Sequence, residues 1–411
     1  RQMCIRDRDK DGHFLAVRCN GFGDLGAYMT PIGPLFASFN IVKHVNGTYR
    51  TPLIEVNTRC VITNTVPITA YRGAGRPEGN YYMERLIDTA AREMGIDPVE
   101  MRRRNHIQPD QIPYKAPSGS TYDSGNFPAI LDRALEIADW AGYEARKAQS
   151  AARGKVRGRG VGQFLEVTAP VMGELGKITF NDDGSVTIAT GSHDHGQGHW
   201  TTFAQVLSTQ LGIPFERIRL MQTDSDELRL GTGTGGSKSL MCSGTAIVEA
   251  SELIVEKGRT IASHLLEAGV GDIVFEAGDF SVVGTDRKIS IMDMAEKLRA
   301  GVALPDDAPK SLDVDHKSSA KPATFPNGCH ICEVEIDPET GVTEIVRYSM
   351  VGDFGTVVNP IIVRGQVIGG VMQGIGQCLT EHTVYDADGQ LATGSFMDYA
   401  MPRADDAPMF Q

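Results

Sequence analysis

The stretch Ala70-Tyr-Arg-Gly-Ala-Gly-Arg-Pro-Glu78 places two arginines, Arg72 and Arg76, on either side of a glycine-containing bend. Glycine lets the backbone adopt positive φ angles and approach a bound group closely. Pro77 fits the first position of a helix, whose start presents unpaired N–H groups and a partial positive charge. The stretch therefore predicts a bend that opens into a helix and can hold an anion or a metal-oxo group. A tight turn with two solvated arginines is the alternative.

The elements on both sides of this bend follow from local patterns. A helix is predicted over 78–94, with Tyr82, Leu86, Ala90 and Met94 on one face and Gly95 as its C-cap. Residues 13–72 are predicted to be β-rich with glycine punctuation. A domain joint is predicted in the aperiodic segment 108–126, which is rich in Pro, Ser, Gly and Asp.

The rest of the chain mixes strands and helices. Strand pairs are predicted at 177–190 and 330–351, each around an Asp- and Gly-containing turn. Long helices are predicted at about 201–211, 240–268 and 361–379. Because helices and strands do not alternate strictly, we predict an α+β fold with mixed sheets and packed helices rather than a regular doubly wound sheet.

Composition restricts the class of protein. The chain has 411 residues, of which 41% are hydrophobic and 22% charged, and this is typical of a globular protein with two or more domains. No apolar run of about 18 residues and no signal peptide is present, which predicts no membrane span and a cytoplasmic location. The net charge of −12 disfavours nucleic acid as a partner.

The seven cysteines are scattered, which favours reduced thiols over a disulfide framework. Cys329 and Cys332 form one C-x-x-C, but no second pair or matching histidines complete a zinc site, and no four-cysteine set holds an iron–sulfur cluster. Any such cluster is therefore expected on another chain.

Three histidines, His193, His195 and His199, surround the tripeptide Gly196-Gln197-Gly198 just before a predicted helix. A ligand loop is one interpretation, because the glutamine amide offers one acceptor and two donors and its glycine neighbours admit a polar cofactor. A zinc site of three imidazoles is the second. A plain turn is the third.

The segment Gly231-Thr-Gly-Thr-Gly-Gly-Ser-Lys-Ser239 contains a literal G-x-G-x-x-G. It lacks the buried strand before it and the acidic residue about 20 positions later that a dinucleotide fold requires, and it misses the P-loop pattern. What remains is a nest of backbone N–H groups with two serine hydroxyls, which predicts a phosphate or pterin cradle.

Glycines interrupt the predicted helix 361–379 at 365, 369, 370, 374 and 376. Each costs roughly 1 kcal/mol relative to alanine in a helix. We therefore expect another group to approach this backbone, either a neighbouring helix or a cofactor.

Together with Asn359-Pro360, Gly365-Gln366 and Gln373-Gly-Ile-Gly-Gln377, these motifs resemble the molybdenum-binding subunit of the xanthine dehydrogenase and aldehyde oxidase family. The resemblance runs in order from about residue 9 to 403 and is nearest to large subunits of aerobic-type carbon monoxide dehydrogenases of the second, functionally broader group.

The resemblance implies a molybdopterin cytosine dinucleotide cofactor whose molybdenum carries oxo and sulfido ligands. It implies that Arg72 and Gln197 are the catalytic candidates and that Arg72 and Gly236 lie near the metal without ligating it. The remaining residues implied to bind the cofactor are Gly73, Ala74, Gly196, Gly198, His199, Gly235, Ser237, Ser239 and Gln366.

The implied reaction is oxidative hydroxylation of an N-heterocycle, an aldehyde or a related small molecule, with water as the oxygen source. Electrons would pass to [2Fe-2S] clusters on a small subunit and FAD on a medium subunit, in a dimer of heterotrimers. Carbon monoxide oxidisers of the family have a copper-binding cysteine where this chain has Gly73, which argues against CO oxidation.

The family's catalytic glutamate is expected beyond residue 411, so the chain is interpreted as a fragment and no general base is assigned. Residues 1–8 are interpreted as a possibly non-native leader, 9–120 as part of a first molybdopterin-binding domain and 121–411 as a second, truncated at its C-terminus. A zinc-dependent hydrolase using the three histidines and a non-catalytic subunit are the alternatives.

Overall fold

The computed structural model describes residues 3–168, 172–222 and 224–411. The chain divides into two compact units. The first unit comprises Arg1–Val167, Thr324–Gly355 and Arg364–Gln411, and the second comprises Thr168–Ala323 and Thr356–Val363. The predicted domain boundary between residues 120 and 121 stays a prediction.

The α-helices among the described residues are α1 (Gly33–Phe36), α2 (Phe39–His44), α3 (Arg76–Met94), α4 (Pro98–Asn105), α5 (Phe127–Ile137), α6 (Tyr143–Ala152), α7 (His199–Leu211), α8 (Ser239–Leu265), α9 (Ile291–Arg299) and α10 (Pro360–Leu379).

The strands among them are β1 (Met3–Arg8), β2 (Phe14–Asp24), β3 (Leu53–Val61), β4 (Tyr114–Lys115), β5 (Thr121–Tyr122), β6 (Val156–Leu165), β7 (Leu175–Phe180), β8 (Val186–Ala189), β9 (Ile218–Met221), β10 (Ile273–Glu276), β11 (Asp279–Val282), β12 (Lys288–Ser290), β13 (Val314–Lys317), β14 (Asn327–Ile336) and β15 (Thr343–Asp353).

In the first unit, β2 lies between β1 and β3 in a three-stranded sheet. It pairs antiparallel with β1 and parallel with β3. Met83 and Ile87 of α3 are buried in one hydrophobic cluster with Val17 of β2. Helix α3 therefore packs on this sheet and fixes the end of the glycine-containing bend that precedes it.

A second sheet of the first unit has the order β15-β14-β6, with both pairs antiparallel. Leu131 and Ala134 of α5 are buried with Ile331 of β14 in one cluster. Glu166 directly follows β6, so the packing of this sheet decides where that carboxylate lies.

The second unit contains a four-stranded sheet with the order β13-β7-β8-β9. Strand β8 pairs antiparallel with β7 and parallel with β9. Helices α7 and α8 contribute Phe203 and Ile254 to the same hydrophobic cluster as Ile188 of β8. Because β8 and β9 are parallel neighbours, the loops that follow them begin at the same edge of the sheet, where ligands commonly bind in such arrangements.

The predicted α+β architecture with mixed sheets is confirmed. The predicted helices around 78–94, 201–211, 240–268 and 361–379 correspond to α3, α7, α8 and α10, and Gly95 ends α3 in a left-handed conformation with φ 67°. Among the described residues, no helix has the length and apolarity needed to cross a membrane.

The structure refines two local predictions. The fully buried residues of α3 include Met83, Ile87 and Ala90, whereas Leu86 and Met94 are partly buried against the same cluster, because a strict four-residue spacing drifts around a helix of 3.6 residues per turn. The β-rich segment 13–72 also contains α1 and α2, which have 4 and 6 residues and are too short for a periodic signal.

Residues predicted as a leader include β1, which pairs with β2 from Met3 opposite Asn20 to Arg8 opposite Phe14. Residues 1 and 2 lie outside the described residues. Whether 1–8 are native stays a prediction.

Candidate functional site

The bend before α3 has three successive residues with positive φ. The φ angles are 98° at Gly73, 50° at Ala74 and 88° at Gly75. The side-chain amide of Asn40 donates to the Ala74 carbonyl at 2.7 Å, and a Cβ atom on Gly75 would clash with the Phe36 carbonyl. Glycine at 75 is therefore required by both the conformation and the close approach of the backbone at residue 36.

The two arginines of the bend differ in environment. Arg72 is exposed, whereas Arg76 is 7% exposed and its Nη1 atom lies 2.5 Å from Oε1 of Glu166. Burial raises the pKa of Glu166 to about 7, although the positive charge of Arg76 opposes this shift. Arg72 therefore remains available to an external anion, while Arg76 ties α3 to the end of β6.

Gln366 of α10 lies beside Arg72 in the first unit. Nη2 of Arg72 donates to the backbone oxygen of Gln366 at 3.0 Å and to its Oε1 atom at 3.1 Å. Of the sequence-predicted site residues, the first unit thus brings together Arg72, Gly73, Ala74 and Gln366. Gln366 uses its acceptor on Arg72 and retains its amide donors.

The loop 191–198 follows β8 in the second unit and leads into α7. The side chain of Gln197 closes the loop on itself, because its Nε2 atom donates to the His193 carbonyl at 2.9 Å and its Oε1 atom accepts from the backbone N–H of His195. Nε2 of Gln197 also lies 3.1 Å from Nε2 of His199. An amide nitrogen can only donate, so that imidazole nitrogen is an acceptor.

His199 is 4% exposed and its ring stacks on Phe203 at a centroid distance of 4.6 Å. Burial lowers the pKa of His199, against the opposing charge of Asp194. The imidazole is therefore neutral at pH 7, and it serves as a packed member of the loop rather than as a cation.

The zinc interpretation of the three histidines is not supported. The rings of His193 and His195 are 4.5 Å apart and T-shaped, and the Nε2 atom of His199 is engaged by an amide. In the part of the chain that the structure describes, no group of three or more His, Cys, Asp or Glu side chains could hold a metal ion.

Two residues that sequence reasoning missed also hold this loop. Asp194 accepts from the backbone N–H of Gly196 at 2.7 Å. Gln222 directly follows β9, accepts from the Asp194 N–H at 3.1 Å and donates to the Ser192 hydroxyl at 2.8 Å. The Asp194 contact is an Asx-turn that the sequence Asp-His-Gly could have indicated. Gln222 has no local signal because it reaches the loop from a neighbouring strand.

The loop 231–238 lies directly against the loop 191–198. The N–H of Gly233 donates to the Gly191 carbonyl at 3.0 Å, and the N–H of His193 donates to the Thr234 hydroxyl at 3.0 Å. A Cβ atom on Gly191 would clash with the backbone of Gly231. Glycine at 191 is therefore needed for the two loops to touch.

Two buried charged side chains hold the loop 231–238 through the hydroxyl of Thr232. Glu174 is 1% exposed and accepts from the Thr232 hydroxyl at 3.1 Å. Lys238 is 4% exposed, and its amine donates to the same hydroxyl at 2.6 Å. The lysine is thus turned inward and does not face a ligand.

The tips of both loops carry unpaired backbone donors. The N–H groups of Gly235, Gly236, Ser237, Gln197 and Gly198 donate to no residue among those described. Gly236 and Ser237 have φ angles of 65° and 62°, while the Ser239 hydroxyl lies 2.9 Å from that of Thr234. A Cβ atom on Gly196 or Gly235 would meet open space. The second unit therefore brings the remaining sequence-predicted site residues together as two adjacent nests.

Known proteins resemble this chain along its whole length. Residues 133–408 match one family of molybdopterin cofactor-binding domains and residues 8–106 match another of the same description. The 6-hydroxypseudooxynicotine dehydrogenase complex subunit gamma of Paenarthrobacter nicotinovorans is 33% identical over 97% of this chain and 51% of its own length. The carbon monoxide dehydrogenase large chain of Afipia carboxidovorans is 32% identical over 98% of this chain and 52% of its own length.

Solved structures agree with the sequence matches. Quinoline 2-oxidoreductase from Pseudomonas putida 86 superimposes with a TM-score of 0.92 at 32% identity and covers 100% of this chain and 54% of its own. The chain spans about half the length of the curated relatives it matches. The predicted resemblance to molybdenum-binding subunits, including those of carbon monoxide dehydrogenases, is confirmed.

Proposed function

We propose that this chain, which belongs to the family of molybdopterin cofactor-binding domains, is part of the large subunit of a molybdenum hydroxylase. The reaction is oxidative hydroxylation of an N-heterocycle, an aldehyde or a related small molecule, with water as the oxygen source. The observation that carries the proposal is the pair of adjacent nests in the second unit, whose unpaired N–H groups fit an anionic, oxygen-rich cofactor. The relatives named nicotine 6-hydroxylase and quinoline 2-oxidoreductase support the substrate class.

The residues present fit a molybdopterin. Gly235, Gly236 and Ser237 lie just before α8 and offer backbone N–H groups to phosphate or pterin oxygens. The N-terminus of this 27-residue helix, which carries the positive end of the helix dipole, lies at this loop. Gln197 and Gly198 offer two more in front of α7. The glycines at 196 and 235 leave the space that a planar ligand requires.

Arg72 would supply the fixed positive charge. Its guanidinium is exposed and keeps donors on Nε and Nη1 that bond to no described residue. Such a group holds and orients an oxygen-bearing anion without changing its own protonation. When bound, the molybdenum cofactor would supply the two-electron oxidation chemistry, while Arg72 would hold and orient one of its anionic groups.

Copper has no ligand at the bend. Gly73 carries no side chain, and a Cβ atom there would clash with the ring of Pro77. The resemblance implies a copper-binding cysteine at this position in carbon monoxide dehydrogenases, and one similar solved structure is described as a Cu,Mo carbon monoxide dehydrogenase. We exclude CO oxidation from the proposed activity.

The finer assignments belong to the same proposal. The cofactor is molybdopterin cytosine dinucleotide, and the partners are a medium FAD subunit and a small [2Fe-2S] subunit in a dimer of heterotrimers located in the cytoplasm. Two similar proteins are named as the gamma subunit of a complex and as a large subunit, which supports a multi-subunit assembly. We assign no general base among these 411 residues.

Analysis of the full-length complex tests the proposal. Elemental analysis of protein purified from its native host should give stoichiometric molybdenum and no copper, and acid release should give a fluorescent pterin with one CMP per molybdenum. Two smaller subunits carrying FAD and iron should copurify. Zinc without pterin, or stoichiometric copper, would contradict the proposal.

A further inference from the structure

One face of α10 contacts the bend that carries Arg72. Gln366, Gly369, Gly370 and Gln373 stand at positions i, i+3, i+4 and i+7, which share a face of a helix. The side chain of Gln373 also faces the Tyr71 hydroxyl. Both residues at the exposed start of the bend therefore lie against the same helix.

The guanidinium of Arg72 lies flat against this face. A Cβ atom on Gly370 would lie 3.4 Å from both Cζ and Nη1 of Arg72, and one on Gly369 would lie 3.8 Å from Nη1. The two hydrogen bonds to Gln366 fix the Nη2 end of the group. A Cβ atom at position 370 would thus just touch the guanidinium, a larger side chain would meet it, and Gln366 sets its direction.

This contact distinguishes Gly369 and Gly370 from other glycines of α10. Glycine is unfavourable in a helix, by roughly 1 kcal/mol relative to alanine. Gly365 and Gly374 of the same helix would meet nothing within 4 Å if a Cβ were added. Their tolerance of a side chain makes them controls for Gly370.

We propose that Gln366 is a positioning residue that acts through Arg72, and that the helix surface at Gly370 supports the guanidinium. Together they orient the free Nε and Nη1 donors of Arg72 towards the anionic groups of the cofactor. This inference rests on the proposed function. It differs from a direct hydrogen bond between Gln366 and the cofactor, because in that case Gln366 would contribute independently of Arg72.

A double-mutant cycle in the full-length complex separates the two roles. The variants are Gln366→Ala, Arg72→Ala and the double variant, and the readout is molybdenum and released pterin per protomer. Gln366→Ala should lower cofactor content by roughly three- to tenfold, as expected for a lost hydrogen bond. In the Arg72→Ala background the same substitution should have no further effect. Effects that multiply would overturn the proposal.

Two further variants test geometry and chemistry. Gln366→Glu retains an acceptor oxygen for the guanidinium and should restore cofactor content towards wild type. Gly370→Val should lower it, whereas Gly374→Val should not, although both substitutions change helix propensity equally. Equal behaviour of the two valine variants would overturn the role of Gly370.

A cofactor-independent readout distinguishes this inference from the proposed function. The rate at which phenylglyoxal modifies Arg72, measured by peptide mass spectrometry, should rise in Gln366→Ala and Gly370→Val and stay unchanged in Gly374→Val. If the wild-type complex contains no molybdenum, the proposed function fails, while the modification rates still decide whether α10 positions Arg72. An unchanged rate in all variants overturns the inference.

Discussion

Arg76 at the start of α3 and Glu166 just after β6 form an ion pair with 2.5 Å between Nη1 and Oε1. Asn80 of α3 reinforces the contact, because it donates to the Leu165 carbonyl and accepts from the Leu165 N–H, each at 3.1 Å. Three contacts thus join the first two turns of α3 to the end of β6 and the residue after it. Together they fix the helix whose start forms one side of the bend.

We expect Arg76→Met to lower the free energy of unfolding by roughly 3 kcal/mol, because it leaves a shielded carboxylate without its cation. The matched control is Arg18→Met, since Arg18 and Glu55 form an exposed pair at 2.6 Å with side chains 55% and 50% exposed. That substitution should cost less than about 1 kcal/mol. Urea unfolding of both variants measures the difference, and equal costs would contradict a structural role for Arg76.

Arg72 is exposed and Arg76 is buried, and this difference could not be predicted from the sequence. Local signals predicted the bend, the helix that follows and its cap at Gly95. Whether an arginine is buried depends on its partner, and Glu166 lies 90 positions after Arg76 in the sequence. No local pattern contains that information, so the sequence could not distinguish the exposed Arg72 from the buried Arg76.

The same limit applies to the loop 191–198. Its glycines and Gln197 indicated a ligand loop, because their chemistry is visible within a few residues. Gln222 directly follows β9 and Glu174 directly precedes β7, and each contacts one of the loops. Their positions depend on the pairing of β8 with β9 and with β7, which no periodic pattern in these short strands could predict.

A side chain at position 73 is expected to lower the stability of the folded protein. Gly73→Cys introduces a Cβ at φ 98° and against the Pro77 ring, so it should destabilise the protein by roughly 1–3 kcal/mol. Gly95→Ala is the control, because φ there is 67° and nothing lies within 4 Å; its cost should be about 1 kcal/mol. Thermal unfolding and copper content measure the outcome. A cysteine variant with wild-type stability and stoichiometric copper would show that the bend can become a copper site.

Buried histidines with lowered pKa values should make stability fall on mild acidification, and the raised pKa of Glu166 opposes part of this effect. His44 and His106 are 1% and 0% exposed, and burial lowers the pKa of each from 6.5 to about 4. The unfolded state therefore binds more protons between pH 6.5 and 4, so their contribution is fully present above pH 6.5 and is lost as the pH falls through this window.

Each histidine adds a slope of up to about 1.4 kcal/mol per pH unit. Urea unfolding between pH 8 and pH 5 measures the slope, and His106→Gln should remove one histidine's share. A slope that is the same in wild type and His106→Gln would mean that His106 is not a neutral, buried group in the folded protein.

Gln197 should matter more than His193 for retention of the cofactor. The Gln197 amide contacts His193, His195 and His199 within its loop, and the unpaired N–H groups of Gln197 and Gly198 depend on the shape that these contacts impose. The side chain of His193 contacts only the ring of His195 among the described aromatic and hydrogen-bonding partners.

Gln197→Ala should therefore weaken molybdopterin binding by roughly five- to a hundredfold, the range expected when paired polar groups lose their partners. His193→Ala should reduce binding far less, and Gln210→Ala, at the exposed end of the same helix α7, should leave it unchanged. Molybdenum, zinc and pterin contents of the three variants in the full-length complex measure this order.

If the histidines were zinc ligands the order would reverse, because deleting an imidazole would release metal while removing the glutamine would matter little. Loss of zinc from His193→Ala together with an unaffected Gln197→Ala would therefore remove this loop from the molybdenum site.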